Sequence, residues 1–303
     1  MPSHADLART IGDRFYGADT TVEPVTEQNN AVFRLRCPGG DKYLKLAKSP
    51  DNSSVRKELL LLEVLGPLNL PTPVVEHADV EGALVGRPFL ITASAGERTV
   101  GSWLANPDGL ARRLFAEMGA VLARIHTAPL PAPDALPPGA IAGRDARECL
   151  GVLSSLTAWV TREGLLDPAE VALFRSAQLP DPGGARLCHG DYHTVHCVVG
   201  DGRITAVVDW ESAWAGNAAI DLAVTHAYLD YYCRQELVRC FVAGYASAGP
   251  LPDDYTSAYL PVRMAQALAL ARVWHRRGPQ ANVRRAVELY REYGRQAAGR
   301  GVQ

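Results

Sequence analysis

Lysine is scarce in this sequence of 303 residues. Only four of its 31 basic side chains are lysine, all of them between Lys42 and Lys57, and the other 27 are arginine. Because 33 acidic side chains stand against those 31, the formal net charge is -2. A protein dedicated to binding nucleic acid needs a strong basic excess to displace counterions, so this balance excludes a nucleic-acid partner.

Long apolar runs are also missing. No uncharged apolar segment approaches the roughly 20 residues that a membrane-spanning helix requires, so we expect no membrane partner. The first residues lack the basic region and apolar core of a secretory leader, and the six cysteines show no C-x-x-C spacing. We therefore expect a cytoplasmic protein with reduced thiols. A hydrophobic fraction of 47% with 21% charged residues is typical of a folded protein.

The first part of the chain shows the alternation that is typical of β-strands. Residues 32–36 and 42–46 alternate on either side of Cys37-Pro-Gly-Gly-Asp, which predicts a hairpin. Helical periodicity over 55–65 follows a cluster of N-capping residues, and residues 87–94 predict a further strand.

Helical periodicity dominates from about residue 97. It predicts helices over 110–126, 218–247, 257–276 and 280–297, and over parts of 145–163 and 167–177. A short β segment interrupts them, with strands at 185–188, 197–199 and 204–208 and a turn at Asp201-Gly202. The sequence thus predicts an α+β fold. A small antiparallel β lobe with one helix is expected over 1–93, and a larger, mainly helical lobe with a hairpin at 185–211 over 94–303.

The most informative stretch contains two aspartates eighteen residues apart, Asp191 and Asp209. Asp191 follows one predicted strand in His189-Gly190-Asp191, and Asp209 ends another in Asp-Trp-Glu. Carboxylates fixed at strand ends suit phosphoryl transfer, because that chemistry depends mostly on positioning and electrostatics. Asp191 can accept the proton of an attacking hydroxyl, and Asp209 can hold Mg²⁺ against nucleotide phosphates.

These motifs resemble those of the aminoglycoside phosphotransferase family, which shares the two-lobed fold of protein kinases. The resemblance covers most of the chain in the same order, and it implies an enzyme that moves the γ-phosphoryl of ATP or GTP to an alcohol group. It also implies site roles. Lys45 would bind phosphates and be held by Glu58, Asn30 would lie in the nucleotide-covering turn, and Thr92, Ala93 and Ser94 would meet the base. Asp221 would brace the catalytic loop, with His189 as further support.

One position departs from the family pattern. The family usually has an asparagine five residues after the catalytic aspartate, as a second metal ligand, whereas this sequence has His196. Hard cations prefer oxygen to imidazole nitrogen, although the macrolide phosphotransferase branch is similar in carrying histidine here. We expect Asp209 and His196 as metal ligands, with Mg²⁺ as the metal and Mn²⁺ as an alternative.

Two other functions remain open from the sequence. His189, His193 and His196 have a spacing that can supply a zinc-dependent hydrolase with three ligands. Alternatively, His196 marks a lost metal site in a catalytically silent nucleotide-binding protein.

The acceptor is the least determined feature. We expect a small molecule, an antibiotic or a related natural product, in an antibiotic-resistance or biosynthetic role. Its candidate contacts are His193, Glu211, Asp230 and Tyr231, and the protein is expected to be a monomer or a homodimer. Arginine-rich C-terminal helices weaken the inference to a polycationic acceptor. Among the lysines, we expect replacement by arginine to impair nucleotide use at Lys45 only.

Overall fold

The computed structural model describes residues 2–105, 108–130, 143–144, 155–175, 185–251, 255 and 259–298. It confirms the α+β class, and the chain divides into two compact units. The first contains the described residues 2–100 and 195–212, and the second contains the described residues of 101–130, 141–194 and 213–303. The sequence predicts a boundary at 93/94 and the whole hairpin 185–211 in the helical lobe, whereas residues 195–212 cluster with the first unit. None of the helices in these ranges has the length and hydropathy that crossing a membrane requires.

The first unit is built on a five-stranded antiparallel sheet with strand order β1-β2-β3-β5-β4. The strands are β1 (Thr21–Glu27), β2 (Asn30–Arg36), β3 (Lys42–Ala47), β4 (Val75–Asp79) and β5 (Phe89–Ala93). The hairpin predicted around residues 37–41 joins β2 to β3, where Leu35 pairs with Lys42. Strand β1 was not predicted, because most of its side chains are exposed and it lacks the apolar alternation of an inner strand.

Two helices accompany this sheet, so the prediction of one helix in the β lobe was wrong. The unpredicted helix α1 (His4–Tyr16) begins with a capping box between Ser3 and Asp6. Its apolar face packs on the sheet through a core that includes Ile11, Leu44 and Leu46. Helix α2 (Ser54–Leu65) lies where the periodicity placed it.

A second, three-stranded sheet in the first unit has strand order β10-β9-β6. Its members are β6 (Arg98–Thr99), β9 (Cys197–Gly200) and β10 (Arg203–Val207). Asp201 and Gly202 both have positive φ, 50° and 73°, which is the backbone of a two-residue primed turn. The predicted hairpin turn is therefore confirmed.

The second unit is mainly helical. Its helices are α3 (Gly109–Thr127), α4 (described over 155–162), α5 (Pro168–Arg175), α6 (Ala218–Tyr232), α7 (Gln235–Ala248), α8 (Leu260–Arg277) and α9 (Gln280–Ala298). A small sheet places β11 (Trp214–Gly216) between β8 (Arg186–Cys188) and β7 (Gly143–Arg144). Predicted residues 145–154, 176–177 and 257–258 lie outside the described residues.

The single helix predicted over 218–247 is two helices. Cys233 and Arg234 have extended backbone between α6 and α7, with ψ angles of 161° and 142°. Neither glycine nor proline marks this break, so the residues that usually end a helix gave no warning of it.

Helices α3 and α7 approach each other closely at two glycines. A Cβ built on Gly119 would collide with the carbonyl oxygen of Phe241, and one on Gly244 would collide with that of Ala116. The pair therefore packs backbone to backbone, and neither glycine can carry a side chain without moving the helices apart.

Candidate active site

In the first unit, one lysine is surrounded by three carboxylates. The Lys45 ammonium lies 2.5 Å from Glu58 Oε2 and 3.4 Å from Glu211 Oε2, and it also contacts Asp209 Oδ1. Glu58 is only 4% exposed. Lys45 comes from β3, Glu58 from α2, and the other two carboxylates from the segment that follows β10. The structure thus brings together Lys45, Glu58 and Asp209 as the sequence predicts, and adds Glu211.

The charge of this cluster depends on the lysine. Burial by itself lowers the pKa of Lys45, but Glu58, Asp209 and Glu211 outweigh it and raise that pKa well above its usual value. Lys45 is therefore a permanent cation that neutralises part of the negative charge of the three carboxylates.

Asp209 occupies a strained backbone position at the end of its strand. Its φ is 69°, in the left-handed region that non-glycine residues seldom adopt and that Asp and Asn tolerate best. His196 Nε2 lies 3.4 Å from Asp209 Oδ2, and the His196 carbonyl accepts the N–H of Val208 at 2.9 Å. The hairpin itself thus sets the imidazole beside the carboxylate.

The donor set of the cluster suits a hard cation. Glu58, Asp209 and Glu211 offer carboxylate oxygens that all lie within 4.8 Å of one another. Mg²⁺ is bound by oxygen and usually shares its coordination sphere with substrate phosphates and water. The residues present therefore fit a magnesium ion, with the imidazole of His196 as a neighbouring nitrogen donor.

Two asparagines fix the orientation of Glu211. Asn30 Nδ2 donates to Glu211 Oε2 at 2.6 Å and to Ser54 Oγ at 2.9 Å, and Asn29 Nδ2 donates to Glu211 Oε1 at 3.1 Å. Asn30 was predicted to contact nucleotide and Glu211 to contact the acceptor. In the structure the amide of Asn30 donates to Glu211. Glu211 itself lies among residues that were predicted to bind the nucleotide and the metal.

The predicted base-binding residues use their backbone N–H groups elsewhere. Thr92 is paired inside the five-stranded sheet. The N–H of Ala93 donates to Val74 O at 2.9 Å, and that of Ser94 donates to Asp41 O at 3.1 Å. These two N–H groups hold the end of β5 in place, so they are not available to a ligand, and contact of these residues with the base stays a prediction.

The segment beyond β5 is tied to the hairpin β9–β10. The Thr205 hydroxyl donates to Ala95 O at 2.6 Å, and a Cβ on Gly96 would collide with Val199 O. The Ala95 N–H makes no hydrogen bond to any described residue. Sequence reasoning missed these contacts. The only available signal was a glycine soon after a strand, which often marks a close backbone approach.

The other lysines of the first unit are engaged too. Lys42 lies 2.6 Å from Glu76 Oε1, and Lys48 donates to the carbonyl oxygens of Glu27 and Gln28 at 2.5 and 2.6 Å. These contacts are structural ones, and the expectation that arginine impairs nucleotide use at Lys45 only stays a prediction.

In the second unit, Asp221 braces the loop that carries His189-Gly190-Asp191. Its carboxylate accepts the N–H of His189 at 2.8 Å and that of Gly190 at 3.0 Å, and His126 Nε2 lies 3.1 Å away. His126 Nδ1 in turn contacts the Tyr245 hydroxyl at 2.9 Å. Burial alone raises the pKa of Asp221, but the hydrogen bond and charge of His126 help to lower it overall. The carboxylate is therefore ionised.

Asp191 itself lies at the surface end of this loop. Its N–H donates to His189 Nδ1 at 3.3 Å, and its Oδ1 lies 3.6 Å from His193 Nε2. The next residue anchors the loop, because the buried Tyr192 hydroxyl donates to Met118 O at 2.8 Å. Asp191 thus presents a partly exposed carboxylate on a loop that is held from beneath.

This arrangement weakens the zinc alternative. The His189 ring is fully buried, and one of its two nitrogens accepts the Asp191 N–H. Among the residues that the structure describes, His189 belongs to no group of three potential metal ligands. The proposed three-histidine set therefore lacks one member.

The two other predicted acceptor contacts on α6 are engaged internally. Asp230 is 7% exposed, and its carboxylate accepts hydrogen bonds from the Tyr293 hydroxyl at 2.5 Å and from Gln235 at 2.9 Å. The Tyr231 hydroxyl donates to Asn282 O at 3.0 Å. Asp230 is therefore a core residue, which argues against the contact with the acceptor predicted for it.

A family model places this chain among known proteins. The model, described as a phosphotransferase enzyme family, matches residues 21–261. A search of curated proteins gives no match.

Solved structures resemble the chain over nearly its whole length. Macrolide 2'-phosphotransferase MphH from Brachybacterium faecium has 21% identity and a TM-score of 0.62, covering 95% of this chain and 98% of its own. Aminoglycoside 2'-phosphotransferase-IIIa in complex with GDP has 16% identity and a TM-score of 0.68, covering 97% and 99%. A thermostable mutant of aminoglycoside phosphotransferase APH(4)-Ia, with AMP-PNP and hygromycin B, has 15% identity and a TM-score of 0.66, covering 96% and 99%. At these identities the likeness shows a shared fold.

Proposed function

Because this chain belongs to the phosphotransferase enzyme family, we propose that it moves the γ-phosphoryl group of ATP or GTP to a hydroxyl of a small molecule. The observation that carries the proposal is the cluster of Lys45 with Glu58, Asp209 and Glu211. A cation held among carboxylates in this way can bind phosphate oxygens while the carboxylates hold a metal.

We assign binding of the phosphate donor, the nucleoside triphosphate, to residues of the first unit. Lys45 contacts the phosphate oxygens, and Glu58 keeps its ammonium in place. Asp209 and Glu211 hold Mg²⁺, with His196 as an auxiliary ligand and Mn²⁺ as an alternative metal. When bound, the metal neutralises charge on the transferring phosphoryl group. The Ala95 N–H is the first backbone donor beyond β5 that is available to the base.

We assign proton acceptance to Asp191. The acceptor hydroxyl forms the new O–P bond as the bond between the γ-phosphorus and the β-phosphate oxygen breaks, and its proton passes to the Asp191 carboxylate. The nucleoside diphosphate leaves. Asp221 keeps the loop in position, through the N–H groups of His189 and Gly190.

The acceptor belongs to the class of antibiotics and related natural products in this proposal. Proteins with this fold include a macrolide 2'-phosphotransferase and an aminoglycoside phosphotransferase with hygromycin B bound. A screen that couples nucleoside diphosphate release to absorbance, run with ATP and GTP over antibiotics and primary metabolites, identifies the acceptor.

The decisive variant is Asp191→Asn. With the acceptor from the screen, we expect kcat to fall by about 10²-fold or more while the nucleotide Kd stays unchanged. Asp201→Asn is the matched control, because Asp201 is an exposed turn residue whose positive φ asparagine tolerates. Full turnover in Asp191→Asn contradicts the role of this residue. Nucleotide binding without turnover of any acceptor favours the silent nucleotide-binding protein instead.

A further inference from the structure

An array of aromatic rings leads away from Asp191 in the second unit. His193 Nε2 lies 3.6 Å from Asp191 Oδ1, and the His193 ring centroid lies 5.1 Å from that of Tyr228. The Tyr228 ring lies 6.3 Å from that of Tyr232, with an interplanar angle of 14°. We call His193, Tyr228 and Tyr232 the aromatic ladder.

Helix α6 explains why the ladder is continuous. Tyr228 and Tyr232 are four residues apart, so their side chains lie one above the other on the same face of the helix. Tyr231 braces the outer rung, because its ring meets that of Tyr232 edge to face at 4.6 Å and its hydroxyl donates to Asn282 O. The Tyr232 side chain is nevertheless 46% exposed. A large aromatic face is thus held rigidly and left open to solvent.

Tyr228 is the inner of the two tyrosines in the ladder, and the charge of Asp191 acts on it. Burial raises the pKa of Tyr228, and the charge of Asp191 raises it further. The phenol of Tyr228 therefore stays neutral, and the ladder begins next to the carboxylate to which we assign proton acceptance.

The charges around the ladder do not favour a polycation. Both carboxylates of α6 are used internally, Asp221 by the catalytic loop and Asp230 by Tyr293. Arg285 of α9 reaches α6, where its Nη2 lies 3.5 Å from the Asp230 carbonyl oxygen, and α8 and α9 contain eight arginines against two glutamates. Apart from Asp191 at its inner end, the ladder offers an ammonium group no free carboxylate among the described residues of α6, and Arg285 lies close to its outer end.

We propose that the aromatic ladder is the acceptor subsite, and that it selects an uncharged, ring-bearing alcohol. One face of the acceptor ring stacks on Tyr232 and Tyr228, and a hydroxyl of the acceptor reaches Asp191. Rigid tyrosines give a large contact area at low conformational cost, and ligand sites are commonly lined by aromatic rings with a few polar groups. This inference rests on the proposed function, because Asp191 receives the proton of the acceptor hydroxyl only if the protein transfers a phosphoryl group.

The test measures binding instead of turnover. Phenyl glucoside, phenyl 2-amino-2-deoxyglucoside and 2-deoxystreptamine are titrated into the full-length protein by saturation-transfer NMR. The first two differ by one ammonium group, and the third is a polar ring with two such groups and no phenyl ring. We expect the glucoside to bind at least about tenfold more tightly than its amine, a difference of about 1.4 kcal/mol, because the ammonium gives up hydration next to a positively charged arginine.

Variants of Tyr232, the outer tyrosine of the ladder, test whether it contacts the bound glucoside. Tyr232→Ala should weaken phenyl glucoside binding by about 5- to 10-fold, the scale of one aromatic contact, whereas Tyr232→Phe keeps the ring and should change it by less than about twofold. Thermal unfolding of each variant checks that it is folded. Val25→Ala, at an exposed apolar side chain of the first unit, is the control for a general surface effect.

The outcomes separate this inference from the proposed function. Equal binding of amine and glucoside, no binding of the glucoside, or unchanged binding in a folded Tyr232→Ala variant overturns the subsite. If the variants weaken binding as expected but no acceptor of any class is phosphorylated, the subsite stands and the proposed phosphoryl transfer fails.

Discussion

Replacing Lys45 by methionine tests the charge balance of the carboxylate cluster. Methionine keeps the length and most of the apolar stem of the side chain, so the main change is loss of the ammonium. Glu58, Asp209 and Glu211 then face one another without a cation. Removing one partner of a buried ion pair costs about 3–5 kcal/mol. Because the Asp209 side chain is 32% exposed, we expect about 3 kcal/mol at pH 7.

Lys42 provides the matched control on the same strand. Its ammonium is as buried as that of Lys45, with side-chain exposures of 13% and 14%, but it has a single partner, Glu76, which is 27% exposed. A pair of that kind contributes about 1 kcal/mol or less. Lys42→Met should therefore destabilise the protein by about 2 kcal/mol less than Lys45→Met.

The assay is urea denaturation followed by tryptophan fluorescence, with Trp210 as a buried reporter in the first unit. As the pH falls, the difference in free energy of unfolding between the wild type and Lys45→Met should become smaller. Without the ammonium, the folded cluster binds a proton more tightly than the unfolded chain does, so the stability of the variant rises as the pH falls from 7 to 5. Equal destabilisation by the two methionine variants, or a gap that does not change with pH, refutes this account.

Two further predictions concern the second unit. Gly119→Ala should destabilise it by on the order of 3 kcal/mol, since the new methyl group collides with Phe241 O; Gly109→Ala, at an open position of the same helix, should be nearly neutral in the same thermal melt. The pKa of His226 is lowered to about 4 by burial and by the neighbouring Arg263. Its contribution to stability is complete above pH 6.5 and is lost as the pH falls toward 4, by on the order of 3 kcal/mol. His226→Gln should flatten stability over that pH range, and an unchanged profile would falsify the prediction.

Much of the site could be predicted from the sequence because its determinants are local. The strand alternation around Lys45 and the hairpin turn at Asp201 each follow from a few neighbouring residues. The loop that carries Asp191 is different, because its brace, Asp221, is distant in sequence; that brace was expected from the resemblance and is seen as two hydrogen bonds.

The remaining features depend on contacts that a linear pattern does not encode. Helix α6 is apolar on nearly every side, so periodicity could not tell that Asp230 faces inward while Tyr232 faces solvent. Helix α1 is the exception, because the capping box of Ser3 and Asp6 and the helical spacing of Leu7, Ile11 and Phe15 are local signals that the sequence does contain. The N–H of Ser94 is taken by Asp41, which no local sequence rule indicates.

The ties from Ala95 and Gly96 to the hairpin β9–β10 have a thermodynamic consequence for ligand binding. They join the stretch that follows β5 to the same hairpin that positions His196 and leads to Asp209. The conformational entropy of aligning these parts is therefore lost when the unit folds. Binding of a nucleotide that spans them then costs little further conformational entropy.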